Sequence, residues 1–129
     1  VVVEGVGGWM APLGPVLMQH QLAQALRLPV ILVVGLRLGC LNHALLSARA
    51  IRTDGCVLAG WIGNCIDADM LRLDDNLATL RERLPAPCLG VVAYAQPADP
   101  VKLATDLDVA QVLAAAQSHT GPRSRCGPG

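Results

Sequence analysis

An open, mostly parallel α/β sheet flanked by helices is the fold class that this sequence predicts, and three observations predict it. Short apolar runs bounded by Gly or Pro lie at Val1 to Glu4, Pro29 to Gly35, Val57 to Gly63 and Leu89 to Ala93, with the continuous hydrophobicity of strands covered on both faces. Between them the apolar spacing changes to three and four residues, the mark of amphipathic helices. Strand alternating with helix requires crossovers between parallel strands, which sterics make right-handed, so helices are expected on both faces of the sheet.

The elements follow in order. Val1, Val2 and Val3 are β-branched and end at Glu4, where the loop Gly5-Val6-Gly7-Gly8 begins. A weakly patterned helix is expected from about Val16 to Arg27. The next strand, Pro29 to Gly35, leads into a helix whose apolar stripe is Leu41, Ala44, Leu45, Ala48 and Ile51. After the strand Val57 to Gly63, a second stripe of Met70, Leu73, Leu77, Leu80 and Leu84 backs a charged face carrying Arg72, Asp75, Arg81 and Glu82. Beyond the strand Leu89 to Ala93, an Ala-rich helix is expected from about Asp106 to Gln117, with Asp106 as its N-terminal cap. Residues 1–117 are thus expected to be one α/β unit. The stretch 118–129, made largely of Gly, Pro, Ser and Arg, has no period and is expected to be a disordered tail.

Composition excludes several functions. The chain has 129 residues, of which 53% are hydrophobic and 16% charged, with ten basic and ten acidic side chains. Lys102 is the sole lysine, so the clustered charge that grips a phosphate backbone is missing and no nucleic-acid partner is expected. Aromatic residues make up 2%, too few to stack single-stranded bases. Apolar runs such as Leu28 to Leu36 fall far short of the ~20 residues of a spanning helix, so no membrane partner is expected either. The opening Val1-Val2-Val3-Glu4 reads as the inside of a buried strand, and the chain is expected to be a piece of a longer protein whose missing part covers apolar surface. Cys40, Cys56, Cys65, Cys88 and Cys126 are widely spaced and odd in number, as expected for free thiols in a cytoplasmic protein.

In an open α/β sheet ligands bind beyond the carboxyl ends of the strands, which singles out four places. At Glu4 to Gly8 an acid closes an apolar run before a glycine loop. Such an acid can hold Mg²⁺ directly or through water, and a loop free of side chains lets backbone N–H groups reach phosphate oxygens; a solvated acid before a turn has the same sequence. At Leu36 to His43 a helix begins near Gly39 or Cys40, and its unpaired first amides and dipole favour an anion without any lysine. His43 there reads equally as a surface histidine, and Cys40 as a core residue. At Ala59 to Asn64 the amide of Asn64 can read a purine edge or merely form a turn. The segment Val92-Ala93-Tyr94-Ala95 is the least specific. Three separated histidines predict no zinc site. No G-x-x-x-x-G-K-[ST] occurs, and no G-x-S-x-G. Asp67, Asp69, Asp74 and Asp75 gather at a loop and helix start, where the dipole accounts for them.

Taken in order, Val-Glu-Gly-Val-Gly-Gly-Trp at 3–9, Leu-Pro-Val-Ile-Leu-Val-Val-Gly at 28–35, Arg-Leu-Gly-Cys-Leu-Asn-His at 37–43, Ala-Gly-Trp-Ile-Gly-Asn at 59–64 and Pro-Ala-Pro-Cys-Leu-Gly at 85–90 resemble the C-terminal half of the dethiobiotin synthetases. The resemblance implies an incomplete P-loop NTPase-like fold. It also implies a ligase of biotin biosynthesis, ATP-dependent and a cytoplasmic homodimer, that closes 7,8-diaminopelargonate and CO₂ into dethiobiotin with Mg²⁺. By the same resemblance Glu4 matches the magnesium-binding acid, and Glu4, Gly5, Val6 and Gly7 the loop beside the nucleotide phosphates. Asn64 and Cys65, with Ala93, Tyr94 and Ala95, match the adenine pocket, while Gly39, Cys40 and Asn42 match the helix start that takes the substrate carboxylate across the dimer interface. Val6 stands where the family more often has Ala, Ala93 where it has Pro, and Pro100 near the expected ribose-binding acid. The family's P-loop and catalytic lysine have no counterpart in this chain, so the chain alone is expected to be inactive. The alternatives are a related P-loop amide synthetase of the cobyrinic acid a,c-diamide synthase type and a non-catalytic, dimerising truncated product.

Overall fold

The structure, a computed structural model, describes residues 1–117; the expected tail, 118–129, lies outside them. Strands β1 (Val30–Leu36), β2 (Leu58–Cys65) and β3 (Cys88–Val92) form one sheet in the order β1-β2-β3, and both neighbouring pairs are parallel. Helix α1 (Gln19–Leu26) leads into β1, α2 (Cys40–Thr53) joins β1 to β2, and α3 (Leu73–Arg83) joins β2 to β3. After β3 come the short α4 (Pro100–Leu103), a 3₁₀ turn at Ala104–Asp106, and α5 (Val109–Gln117).

The two faces of the sheet follow from register. Leu32 pairs with Trp61, Val34 with Gly63 and Leu36 with Cys65, so their side chains share one face at the strand period of two. On that face α2 buries Ala44, Ala48 and Ile51 of its predicted stripe together with Cys40, while Leu45 of that stripe is exposed, and α3 buries Leu77 and Leu80 of the second stripe. Trp61 sits fully buried at the centre of this cluster, and its indole N–H meets no acceptor among the described residues. Asp74 and Asp75 occupy the first turn of α3, and Arg81 and Arg83 the last, each at the dipole end that favours it.

The opposite face carries Ile31 beside Gly60, Val33 beside Ile62, and Gly35 beside Asn64. Over β3 it is closed by Leu89, which is buried against Gly60: a Cβ there would lie 2.5 Å from Leu89 Cδ1. Over β1 it is open, with Val33 59% exposed.

Three local expectations are corrected. Val1 to Glu4 is irregular and exposed rather than a strand, because a strand exists only where its N–H and C=O groups find a ladder, and β1 pairs with β2 alone among the described residues. The segment instead runs toward α1 through turns closed by Ala11 N to Gly8 O and Gln19 N to Ala11 O. It is anchored where Trp9 Nε1 donates to Asp54 Oδ2 at 2.7 Å, while Gln24 Nε2 of α1 donates to Asp54 O at 2.8 Å. The expected helix from Val16 shortens to Gln19–Leu26 and ends with Arg27 at φ 53°.

The third correction concerns α5. Its cap is Asp108, whose Oδ1 accepts from Gln111 N at 2.9 Å, and not Asp106. Leu107 stays extended because it forms an antiparallel bridge with Gly90, which delays the helix by two residues.

Candidate functional site

Parallel register brings the strand ends to one edge: Gly35 lies beside Asn64, Leu36 beside Cys65, and Asn64 beside Val92. Asn64 is half-buried and belongs to the face left open over β1, so its amide can offer a donor and an acceptor to a neutral ligand. Cys65 turns to the other face and packs against the core. Burial pushes its thiol pKa up, the Tyr94 backbone hydrogen bond pulls it down, and the nearby Asp106 carboxylate pushes it up further. Tyr94, beside this edge, is 44% exposed. Ala93 N donates to Asp106 Oδ2 at 3.0 Å. Asn64, Cys65 and Ala93 to Ala95 thus share one strand-end edge, with the Asn64 and Cys65 side chains on opposite faces of the sheet.

The start of α2 stands at the same edge, beyond β1. Gly39 has φ 90°, a left-handed conformation in which a side chain is strained, and this turn lets the helix begin at Cys40. Cys40 N donates to Arg37 O at 3.0 Å and His43 N to Gly39 O at 3.3 Å, while the Leu41 and Asn42 amides have no acceptor among the described residues. Two free amides at the positive end of a 14-residue helix suit a carboxylate. The Cys40 side chain is 2% exposed and its thiol donates to Asn76 Oδ1 at 3.9 Å. Cys40 thus offers the site its backbone and gives its side chain to the core. Asn42 and His43 are exposed.

The loop Glu4 to Gly7 stands apart. Glu4 is exposed, Gly7 has φ 74°, and a Cβ on Gly5 would meet Gln19 Nε2 at 2.8 Å, so the loop rests on the start of α1. No hydrogen bond among the described residues ties it to Asn64 or Ala93. No group of three or more His, Cys, Asp or Glu side chains that could hold a metal occurs among the described residues, and no helix there is long and apolar enough to cross a membrane. A lone acid still fits Mg²⁺, which keeps most of its waters and takes one or two carboxylates plus substrate phosphate oxygens. Cys40, Cys56, Cys65 and Cys88 are free thiols, as expected; Cys126 lies outside the described residues.

Sequence reasoning missed Asp106 as a neighbour of this edge and Asp54 as the anchor of the N-terminal segment. The available signal for the first was Gly90, since a glycine inside a strand marks a close backbone approach.

Parallel strands linked through helices, with polar side chains and free helix amides gathered at the strands' carboxyl edge, make this an α/β unit of P-loop NTPase-like type. A family model described as "AAA domain" matches residues 1–102, and the chain belongs to that family. Among curated relatives, the ATP-dependent dethiobiotin synthetase BioD of Cellvibrio japonicus is 54% identical over 112 residues, which are 87% of this chain and 49% of that protein. The protein of the same name from Pseudomonas aeruginosa is 56% identical over 108 residues, 84% of this chain and 47% of its own length. That from Ralstonia nicotianae is 56% identical over 114 residues, 88% of this chain and 50% of its own. The chain spans about half the length of the curated relatives it matches.

Proposed function

We infer that this chain works as part of an ATP-dependent dethiobiotin synthetase, a cytoplasmic homodimer that converts 7,8-diaminopelargonate and CO₂ to dethiobiotin. The observation that carries this reading is 54% identity to such an enzyme over 87% of the chain. In the reaction, one substrate amine adds to CO₂ and loses a proton to give a carbamate. The carbamate oxygen takes the γ-phosphoryl group of ATP, releasing ADP, and the second amine then attacks the carbamoyl carbon to close a cyclic urea and expel phosphate.

Each cluster has a part in that sequence. Asn64 pairs with the edge of the adenine, and the Ala93–Tyr94–Ala95 backbone and ring flank it. The free amides after Gly39 and Cys40, with Asn42, hold the substrate carboxylate from the partner subunit and so fix both amines at a set distance from the nucleotide. Glu4 contributes the carboxylate for Mg²⁺, and Gly5, Val6 and Gly7 give the phosphates a loop with little side-chain bulk. Mg²⁺, when bound, would neutralise charge on the transferring phosphoryl group. The phosphate-gripping loop and its lysine are not among these residues.

The full-length protein carrying this sequence is expected to form dethiobiotin from 7,8-diaminopelargonate, bicarbonate and Mg-ATP, with ADP released in equal amount. Mass spectrometry of the product checks it. A folded full-length protein that makes none with these substrates overturns the reading.

A further inference from the structure

The segment that returns from β3 toward α5 is pinned to the sheet at three successive points. Asp108 N donates to Leu89 O at 3.0 Å, Leu107 bridges Gly90 in antiparallel fashion, and Asp106 Oδ2 accepts from Ala93 N at 3.0 Å. Gly90 permits this approach: its φ of 152° is one that side chains rarely adopt, and a Cβ there would strike the Asp106 carbonyl oxygen and lie 2.9 Å from Leu107 Cδ2. The backbone between Ala93 and Asp106 therefore forms a closed loop whose neck is the carboxylate-to-amide hydrogen bond. Inside it Asp99 is already engaged, accepting from Val101 N at 3.0 Å and Lys102 N at 3.4 Å as the cap of α4. Asp106 is the acid left to hold the neck.

We propose that Asp106 is a positioning residue for the nucleotide site: its carboxylate holds the Ala93 amide and thereby sets the Ala93–Tyr94–Ala95 backbone against Asn64, so that the base enters a preformed slot. The inference rests on the reading of Asn64 and Ala93 to Ala95 as the base pocket. It is chemically economical. A carboxylate on a backbone amide makes a charge-assisted bond, stronger than a neutral one, and a slot ordered before the ligand arrives spares the ordering cost at binding. The bond acts on ground-state affinity, because the base lies away from the reacting phosphate and is held alike before and during transfer.

The test compares Asp106→Ala with Asp106→Asn in the full-length protein. An amide oxygen can still accept from Ala93 N, whereas a methyl cannot. Asp106→Ala is expected to raise KM for ATP about fivefold, the size of one lost hydrogen bond, to leave kcat within about twofold, and to speed exchange of the Ala93 amide proton. Asp106→Asn is expected to restore all three. Should Asp106→Ala not fold, Asp106→Ser, whose hydroxyl is one bond too short to reach Ala93 N, makes the same comparison. Faster Ala93 exchange with an unchanged KM for ATP overturns the positioning role alone. A fall in kcat that Asp106→Asn fails to restore overturns it as well. A wild-type protein that binds no ATP overturns the nucleotide pocket itself, and the role of Asp106 with it.

Discussion

The Asp106 carboxylate lies near enough to Cys65 at the strand ends to act on its thiol, an effect read best by pH. Burial is the larger cause that raises the Cys65 thiol pKa, with Asp106 adding to it against the Tyr94 backbone hydrogen bond. A raised thiol pKa keeps the group protonated further into alkali, so the thiolate, the form that reacts, appears at higher pH than in an unperturbed cysteine. Alkylation of Cys65 followed by mass spectrometry is therefore expected to show a midpoint above that of a free thiol. Asp106→Asn should move the midpoint part of the way back, because it removes the charge and leaves the burial. An Asp106→Asn midpoint that stays where it was would contradict the proximity of the two side chains. At this scale the sequence was informative about residue type and silent about contact. Asn64 was readable as a strand-end amide, but Asp106 looked like a helix cap, since an acid before an Ala-rich run has the same local sequence whether it caps the helix or reaches across to Ala93.

Among elements, β2 shows how a single missing side chain sets the packing. Gly60 lies inside the strand because Leu89 of β3 occupies the space its Cβ would need, at 2.5 Å. Gly60→Val is accordingly expected to destabilise the full-length protein by ~1–3 kcal/mol, despite the better strand propensity of valine, because overpacking outweighs propensity at a buried contact. Urea denaturation checks the size and sign; a gain in stability would mean that Leu89 moves aside freely. Helices α2 and α3 were legible from sequence for the reason that Gly60 was not. The stripes Ala44, Ala48, Ile51 and Leu77, Leu80 follow from the helical period within one segment, and each became the buried face of its helix. The role of Gly60 depends on a residue from another strand.

The whole molecule presents apolar surface along β1 and the N-terminal segment. Val1 and Val2 are almost wholly exposed, and Val33 stands on the uncovered face of the sheet. The 129-residue chain expressed alone is expected to self-associate during size-exclusion chromatography through this face. It is also expected to give no dethiobiotin with 7,8-diaminopelargonate, bicarbonate and Mg-ATP, because it lacks the loop and lysine that position the phosphates. A compact monomer with full turnover would contradict both points. The sequence by itself determined the alternation of strand and helix, the inward stripe of each helix and the polar residues that end the strands, because period, glycine and chain order are properties of a local stretch. Only the tertiary structure decided that Val1 to Val3 form no strand, that the Glu4 loop rests on α1, and that Asp106 closes the loop from Ala93. Each of these depends on whether a backbone or side-chain group meets a partner distant in the chain, and a ladder, an anchor or a latch exists only when that partner is in place.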